Sequence, residues 1–305
     1  ELMADPSPQI GLPANEWIEL KNTTSSAINL LGWRLGDASG LSGPMSNFTL
    51  QPDSFVIVCT GSAVAAMSAF GTTISVTSFP SLDNDGDIIF LRAANGRTIH
   101  AVSYSSAWYQ NAVKTDGGWT LEMIDTKNPC AGSNNWKAGN DTKGGTPGKK
   151  NSIDAVNNDT DAPKLKRAYT TDNTTIVLVF DEPIDSLQGA TTGNHIIDGG
   201  ITILSAAAMA PLFNQIQLKT TAPLRPNTVY TITTANISDC KNNTIGAANK
   251  AKTGLPSEAA GKTLSATTSA LVSAFASPTA RVQATTPSST TAIDSPGTEA
   301  RFMMR

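Results

Sequence analysis

The segment Asp83-Asn84-Asp85-Gly86-Asp87 places side-chain oxygens at alternate positions around a glycine. A calcium loop begins this way, with hard oxygen donors two residues apart and a glycine at the sharp turn. The candidate ligands are Asp83, Asp85 and Asp87, with Asp37 and Asp125 as further donors if the fold brings them near. A helix–loop–helix site also needs an acid near the twelfth position. Arg92-Ala93-Ala94 stands there, and the sequence after Gly86 reads as a strand. An Asx-rich turn feeding a strand is therefore the favoured reading. Calcium is the one cofactor this sequence suggests.

Aromatic residues concentrate in the first half of the chain: Trp17, Trp33, Trp108, Tyr109, Trp119 and Trp136. Aligned rings stack on sugar faces, because both surfaces are flat and polarised. Trp33 and Trp119 lie at strand phases that suit a core. Trp108 and Tyr109 follow a strand end and are the candidate ligand-binding pair. For most of the six, core or rim packing is the favoured reading.

The residues for bond-making do not assemble in sequence. There is no Gly-x-Ser-x-Gly elbow. The two histidines, His100 and His195, stand beside Ile99 and Asn194 in ordinary settings. Glu16 and Glu19 lie far in sequence from Asp181, Glu182 and Asp185, which does not establish the facing carboxylates of a glycosidase. Gly144-Gly145-Thr146-Pro147-Gly148-Lys149-Lys150 lacks the glycine spacing and the Ser/Thr of a phosphate loop. The expectation is a chain that is not an enzyme.

Three cysteines occur, Cys59, Cys130 and Cys240, with no zinc-ligand spacing. Cys59 ends the apolar run Phe55-Val56-Ile57-Val58-Cys59 and reads as a core thiol. Cys130 and Cys240 lie in polar loops. They are the candidate disulfide, linking two regions of an exported protein.

The elements that must hold these residues are short strands. Charged residues make up 15% of the chain and the net charge is −3, too weak a field to argue for nucleic acid or an anionic membrane. No run approaches the ~20 apolar residues of a membrane span. β-rich segments are broken throughout by Asn-Gly, Asp-Gly and proline, the pattern of an all-β fold. In residues 1–152, strands are expected at 16–20, 28–35, 54–60, 87–92, 97–104 and 119–125. Ser62 is expected to cap a short helix carrying Val64, Met67 and Phe70, and Asn95-Gly96 to turn a hairpin. Trp136 reads as the anchor of a wrapping loop. Residues 153–162 are polar, without pattern, and read as a linker. Residues 163–254 carry further strands, of which Thr175-Ile176-Val177-Leu178-Val179-Phe180 is the clearest, ended by Pro183. Residues 255–305 are rich in Ala, Ser, Thr and Pro and are expected to be disordered, with a helix at 264–275 as the exception.

The first region resembles a lamin tail domain of the bacterial exported type. The resemblance is carried by Met3-Ala4-Asp5-Pro6, Glu16-Trp17-Ile18-Glu19-Leu20-Lys21-Asn22, Asn29-Leu30-Leu31-Gly32-Trp33, Leu82-Asp83-Asn84-Asp85-Gly86-Asp87, Gly117-Gly118-Trp119 and Gly145-Thr146-Pro147-Gly148. The second region is similar to S-layer-type bacterial Ig-like domains through Phe180-Asp181-Glu182-Pro183, Asn227-Thr228-Val229-Tyr230 and Asp239-Cys240-Lys241-Asn242-Asn243. In that family a glycine stands where this chain has Asn242, and asparagine tolerates the same left-handed backbone. The first family's opening strand begins a few residues before Glu1, so a truncated N-terminus is expected. The resemblances imply two tandem immunoglobulin-like β-sandwiches with no catalytic residues.

The expected function is a structural, adhesive or binding module of a larger exported, cell-surface protein, monomeric, with a surface protein or polysaccharide as partner. The alternative is a carbohydrate-binding accessory module of a secreted hydrolase. That alternative requires Trp108 and Tyr109 to be exposed and coplanar with a neighbouring ring.

Overall fold

The structure is a computed structural model and describes residues 1–256 and the backbone of residues 302–304. It is built mostly of β-strands. The sequence Trp17-Ile18-Glu19-Leu20 explains the centre of the first region. Successive side chains on a strand point to opposite faces. Ile18 and Leu20 enter one buried cluster with Val56, Val58, Ile89 and Leu91. Trp17 enters another on the reverse face, with Ile57, Cys59 and Met67. The continuous apolar run Phe55–Cys59 follows from this, because both of its faces are covered.

Strand Trp17–Asn22 lies between Leu2–Met3 and Phe55–Cys59. The same sheet continues through Leu121–Met123 and Trp136–Ala138 on one side, and through Thr73–Ser75 on the other. A second sheet holds Arg34–Gly36, Gly86–Arg92 and Thr98–Ser105. Its hairpin turns at Asn95-Gly96, but only Gly96 takes a positive φ, 86°, so the turn is not the two-residue form in which both residues are left-handed; the Ala93 amide donates to Arg97 O at 2.9 Å.

Three local expectations change. Residues 28–35 are two strands, Ile28–Asn29 and Arg34–Gly36. Gly32 turns the chain between them at φ 80°, and the Trp33 amide donates to Leu30 O. The expected helix shrinks to a 3-10 turn at Gly61–Ala63 and one α-turn at Val64–Met67, without a side-chain cap. Trp136, read as a loop anchor, is 1% exposed within the strand Trp136–Ala138.

In the second region, one sheet runs Leu165–Thr170, Thr175–Phe180, Gln215–Thr220, Ile203–Ala208, and the other His195–Ile197, Val229–Thr234, Lys250–Gly254. Ile176, Leu178, Phe180, Ile216 and Leu218 from the first sheet share a buried cluster with Tyr230 and Ile232 from the second. Asn242 adopts φ 67°, the left-handed conformation expected of it.

The patternless residues after Asn151 are fastened to the first region. Asn151 Nδ2 donates to Met123 O at 2.7 Å, Ser152 Oγ to Glu122 Oε2 at 2.8 Å, and the Asn157 amide to Asp125 Oδ2 at 3.1 Å. Side-chain hydrogen bonds of this kind leave no hydrophobic period. Of the expected disordered tail, residues 257–301 and 305, including the expected helix at 264–275, lie outside the described residues. Phe302–Met304 is a strand that pairs with Leu20, Lys21 and Asn22. Among the described residues no helix is long and apolar enough to cross a membrane.

Candidate functional site at the junction of the two regions

Cys130 and Cys240 form a disulfide with S–S 2.01 Å and Cα–Cα 6.2 Å, across 110 residues of sequence. Polar contacts surround it. Lys241 Nζ donates to Lys127 O at 3.2 Å, and Asn243 Nδ2 to Asp159 O at 3.2 Å. Covalent and polar links thus join the loop after Leu121–Met123, the segment at Asp159 and the turn after Ile237.

Three carboxylates converge at this place. Asp239 is 2% exposed and organises its own turn: Oδ1 accepts from the Lys241 and Asn243 amides, each at 2.8 Å, and Oδ2 from Asn243 Nδ2. Glu182 follows the end of strand Thr175–Phe180, where Pro183 stops the ladder. Asp159 comes from the segment read as a linker; its Oδ1 accepts from the Asp161 amide at 3.1 Å. One oxygen from each of Asp159, Glu182 and Asp239 lies within 4.8 Å of the others. A cleft of ≈ 260 Å³ opens beside them, lined in part by Cys130, Asn134, Asp161, Lys164 and Asp181.

The local field is negative. Burial, then the charges of Asp159, Asp239, Asp181 and Asp161, push the Glu182 carboxyl up to about 8. Burial also raises Asp159, reinforced by Asp239 and Asp161 and opposed by Lys241. Chemically the arrangement is a set of three carboxyl groups close enough to disfavour one another's ionisation.

The aspartate loop named from sequence does not make such a set. Asp83 and Asp85 are exposed. Their main-chain carbonyls are what the fold uses: Asp83 O accepts from Tyr104 Oη at 2.8 Å and Asp85 O from the Ser106 amide at 2.9 Å. Asp87 Oδ1 accepts from the Ile88 amide, and burial followed by the Asp37 and Asp83 charges raises its carboxyl to about 6. Asp37 and Asp125 cap local turns through Ser39, Gly40 and Lys127. Among the described residues the three carboxylates of this loop do not gather within 4.8 Å. The turn-and-strand reading accounts for the segment.

The aromatic pair is also corrected. Tyr109 is 3% exposed and its hydroxyl donates to Trp119 O at 3.1 Å. Trp108 is partly buried against the core, 6.4 Å from Trp136 and tilted 37° to it. The 3-10 turn Ser106–Tyr109 rotates both rings inward, so they offer no coplanar exposed platform. His195 is buried, with Nε2 2.9 Å from Gly189 O and Nδ1 2.9 Å from Thr234 Oγ1. Cys59 is a buried free thiol, its pKa raised by burial to about 11.

Residues 1–106 match the family model described as Lamin Tail Domain, and residues 158–254 match the one described as Bacterial Ig-like domain. The chain joins a lamin tail domain to a bacterial Ig-like domain. Asp159, Glu182 and Asp239 all lie inside the Ig-like match, while Cys130 lies between the two matches. The lamin tail match ends at residue 106, yet its main sheet includes Leu121–Met123 and Trp136–Ala138. Solved structures similar to this chain include the N-terminal part of the bacterial S-layer protein SbsC, at 16% identity and TM-score 0.29, over 32% of this chain and 24% of that one. Another is the S-layer protein rSbsC(31-844), at 16% identity and TM-score 0.29, over 32% of this chain and 14% of that one. The chain thus spans a quarter or less of the length of these structures, and likeness at that TM-score carries no argument. No curated protein matches the chain.

Sequence reasoning named Glu182 only among scattered carboxylates and passed over Asp159 and Asp239. The available signal was Asp239 standing next to Cys240. A disulfide between distant loops also brings their neighbours together.

Proposed function

We propose that the chain is a non-catalytic structural module of a larger exported protein. In this reading two immunoglobulin-like β-sandwiches, residues 1–152 and 163–254, are held at a fixed relative orientation. The observation that carries it is the Cys130–Cys240 disulfide. Such a bond persists in oxidising compartments and is rare where thiols are kept reduced. It joins the lamin tail side to the Ig-like side, so its mechanical effect is to restrain one domain against the other. The engagement of His195 in backbone and threonine contacts favours a structural role over hydrolysis.

A partner has a physical route to the surface. The strand Ile203–Ala208 lies at the end of its sheet and carries Leu204 67% exposed. An incoming strand can extend such an edge. The partner in this reading is a surface protein or polysaccharide.

The test is small-angle scattering of the exported chain with and without reductant. Reduction is expected to increase the radius of gyration as the two domains move apart. An unchanged profile after complete reduction argues that the bond does not set the geometry. Specific retention on one glycan in an array favours the carbohydrate-binding accessory role instead.

A further inference from the structure

We propose that the uncharged edge strand Ile203–Ala208 of the Ig-like domain pairs antiparallel with the same strand of a second copy of this chain. The inference deepens the edge-extension reading above and rests on it. It departs from the monomer expected from the sequence.

The outer strands of this domain differ in how they meet solvent. Leu165–Thr170 ends one sheet and carries exposed Lys166 and Arg167, while Lys250–Gly254 ends the other and carries exposed Lys250 and Lys252. These two strands lie beside each other on one side of the domain. Cations along an edge guard it against pairing, because an incoming strand must desolvate and crowd them. His195–Ile197 and Ile203–Ala208 end the two sheets at their other limits and also lie beside each other. This side has no such guard. From Ser186 to Met209 the one charged residue is Asp198, and its Oδ1 accepts from the Thr231 amide of its own sheet at 2.9 Å. The same stretch holds Leu187, Ile196 and Leu204, which are 74%, 66% and 67% exposed. The short helix Ser186–Gly189 packs on Ile203–Ala208, so these apolar side chains surround one edge.

The distribution of charge also selects the partner. In a two-fold contact each strand meets an identical strand, so a charged edge faces its own sign. Lys166, Arg167, Lys250 and Lys252 would repel their symmetry mates and suit an acidic partner instead. Ile203–Ala208 meets no such repulsion. An antiparallel pair is what a two-fold axis generates from a single strand. Among the described residues the strand has one strand neighbour, Gln215–Thr220. Its outer backbone groups are therefore open to a second ladder. The register shift against that neighbour lies between Ile203 and Ser205, which leaves Ser205–Ala208 regular. Ser205 and Ala207 are exposed and small, so two sheets meet edge to edge without a clash. Leu204 leaves water on pairing, which favours the contact.

The experiment is sedimentation equilibrium of the intact, oxidised chain up to about 1 mM, the weak end of specific association. A reversible monomer–dimer equilibrium is expected. The double variant Leu204→Lys/Ala207→Lys gives this edge the guard of the opposite one. Its dimer Kd should rise at least about tenfold, because like charges then face each other. Both positions are exposed, so its thermal unfolding at low concentration should match the parent's. Val229→Lys removes an exposed apolar side chain from the middle strand of the other sheet and should dimerise as the parent does. Amide hydrogen exchange at high concentration should slow within Ile203–Ala208 and stay unchanged in Leu165–Thr170. A monomer at every concentration would overturn the proposal. So would a dimer indifferent to Leu204→Lys/Ala207→Lys, or slowed exchange elsewhere than this edge. Scattering with and without reductant tests the domain restraint separately, so a monomer that keeps that restraint overturns the pairing alone.

Discussion

Several side chains in this molecule carry ionisable groups where water is scarce, and each makes stability depend on pH. His100 is the clearest. Burial depresses its pKa from the ordinary 6.5 to about 4, only partly offset by a hydrogen bond with the Pro129 backbone. Between those values the unfolded chain binds more protons than the folded one. Stability contributed by neutral His100 is therefore full above about pH 6.5 and lost as pH falls towards 4. The loss is up to about 3 kcal/mol, from the size of the shift. Asp87 acts in the opposite sense. Its folded pKa of about 6 lies above the ordinary 3.8, so its protonated form favours folding and stability falls as pH rises through that window. His100→Gln should flatten the acid limb of a urea-midpoint profile between pH 4 and 6.5. A profile parallel to the parent's would remove His100 as the cause.

At the scale of the element, Gly86 shows why the aspartate loop is as it is. It has φ 147°, and a Cβ there would stand 2.6 Å from Tyr104 O on the neighbouring strand. The glycine is needed for close approach within the hairpin, independent of any ion. Gly86→Ala should destabilise the chain by roughly 1–3 kcal/mol, whether or not calcium is present. Chemical denaturation in EDTA and in calcium reads this directly, and a calcium-dependent difference would restore the loop as a metal site. The core strands were visible in the sequence because burial on one face writes period-two alternation into it, and burial on both faces, as at Phe55–Cys59, writes a continuous apolar run. The break at Gly32, the inward turn of Trp108 and Tyr109, and the fastening of Asn151 and Asn157 were not. Each is set by one dihedral or a few side-chain hydrogen bonds, and neither leaves a period.

At the scale of the whole molecule, the junction has a covalent restraint beside its three carboxylates. Replacing both Cys130 and Cys240 by serine removes a cross-link spanning 110 residues. Chain-entropy arguments cap its contribution near 4–5 kcal/mol, and measured values are commonly lower. Calorimetry of the Cys130→Ser/Cys240→Ser chain should show a lower unfolding temperature and two separable transitions where the oxidised parent shows coupled ones. A single unshifted transition would mean that packing alone couples the domains. By itself the sequence determined the strand-rich class, the two family resemblances, the core thiol at Cys59 and the turns at Asn95-Gly96 and Asn242. All of these follow from local backbone preference, from apolar patterning along one strand or from short motifs. Only the tertiary structure decided that Asp159, Glu182 and Asp239 meet. It also decided that Tyr109 is sealed and that the Asp83–Asp87 carboxylates stay apart. Such facts depend on where distant segments are brought together in space, and a one-dimensional pattern does not encode that distance.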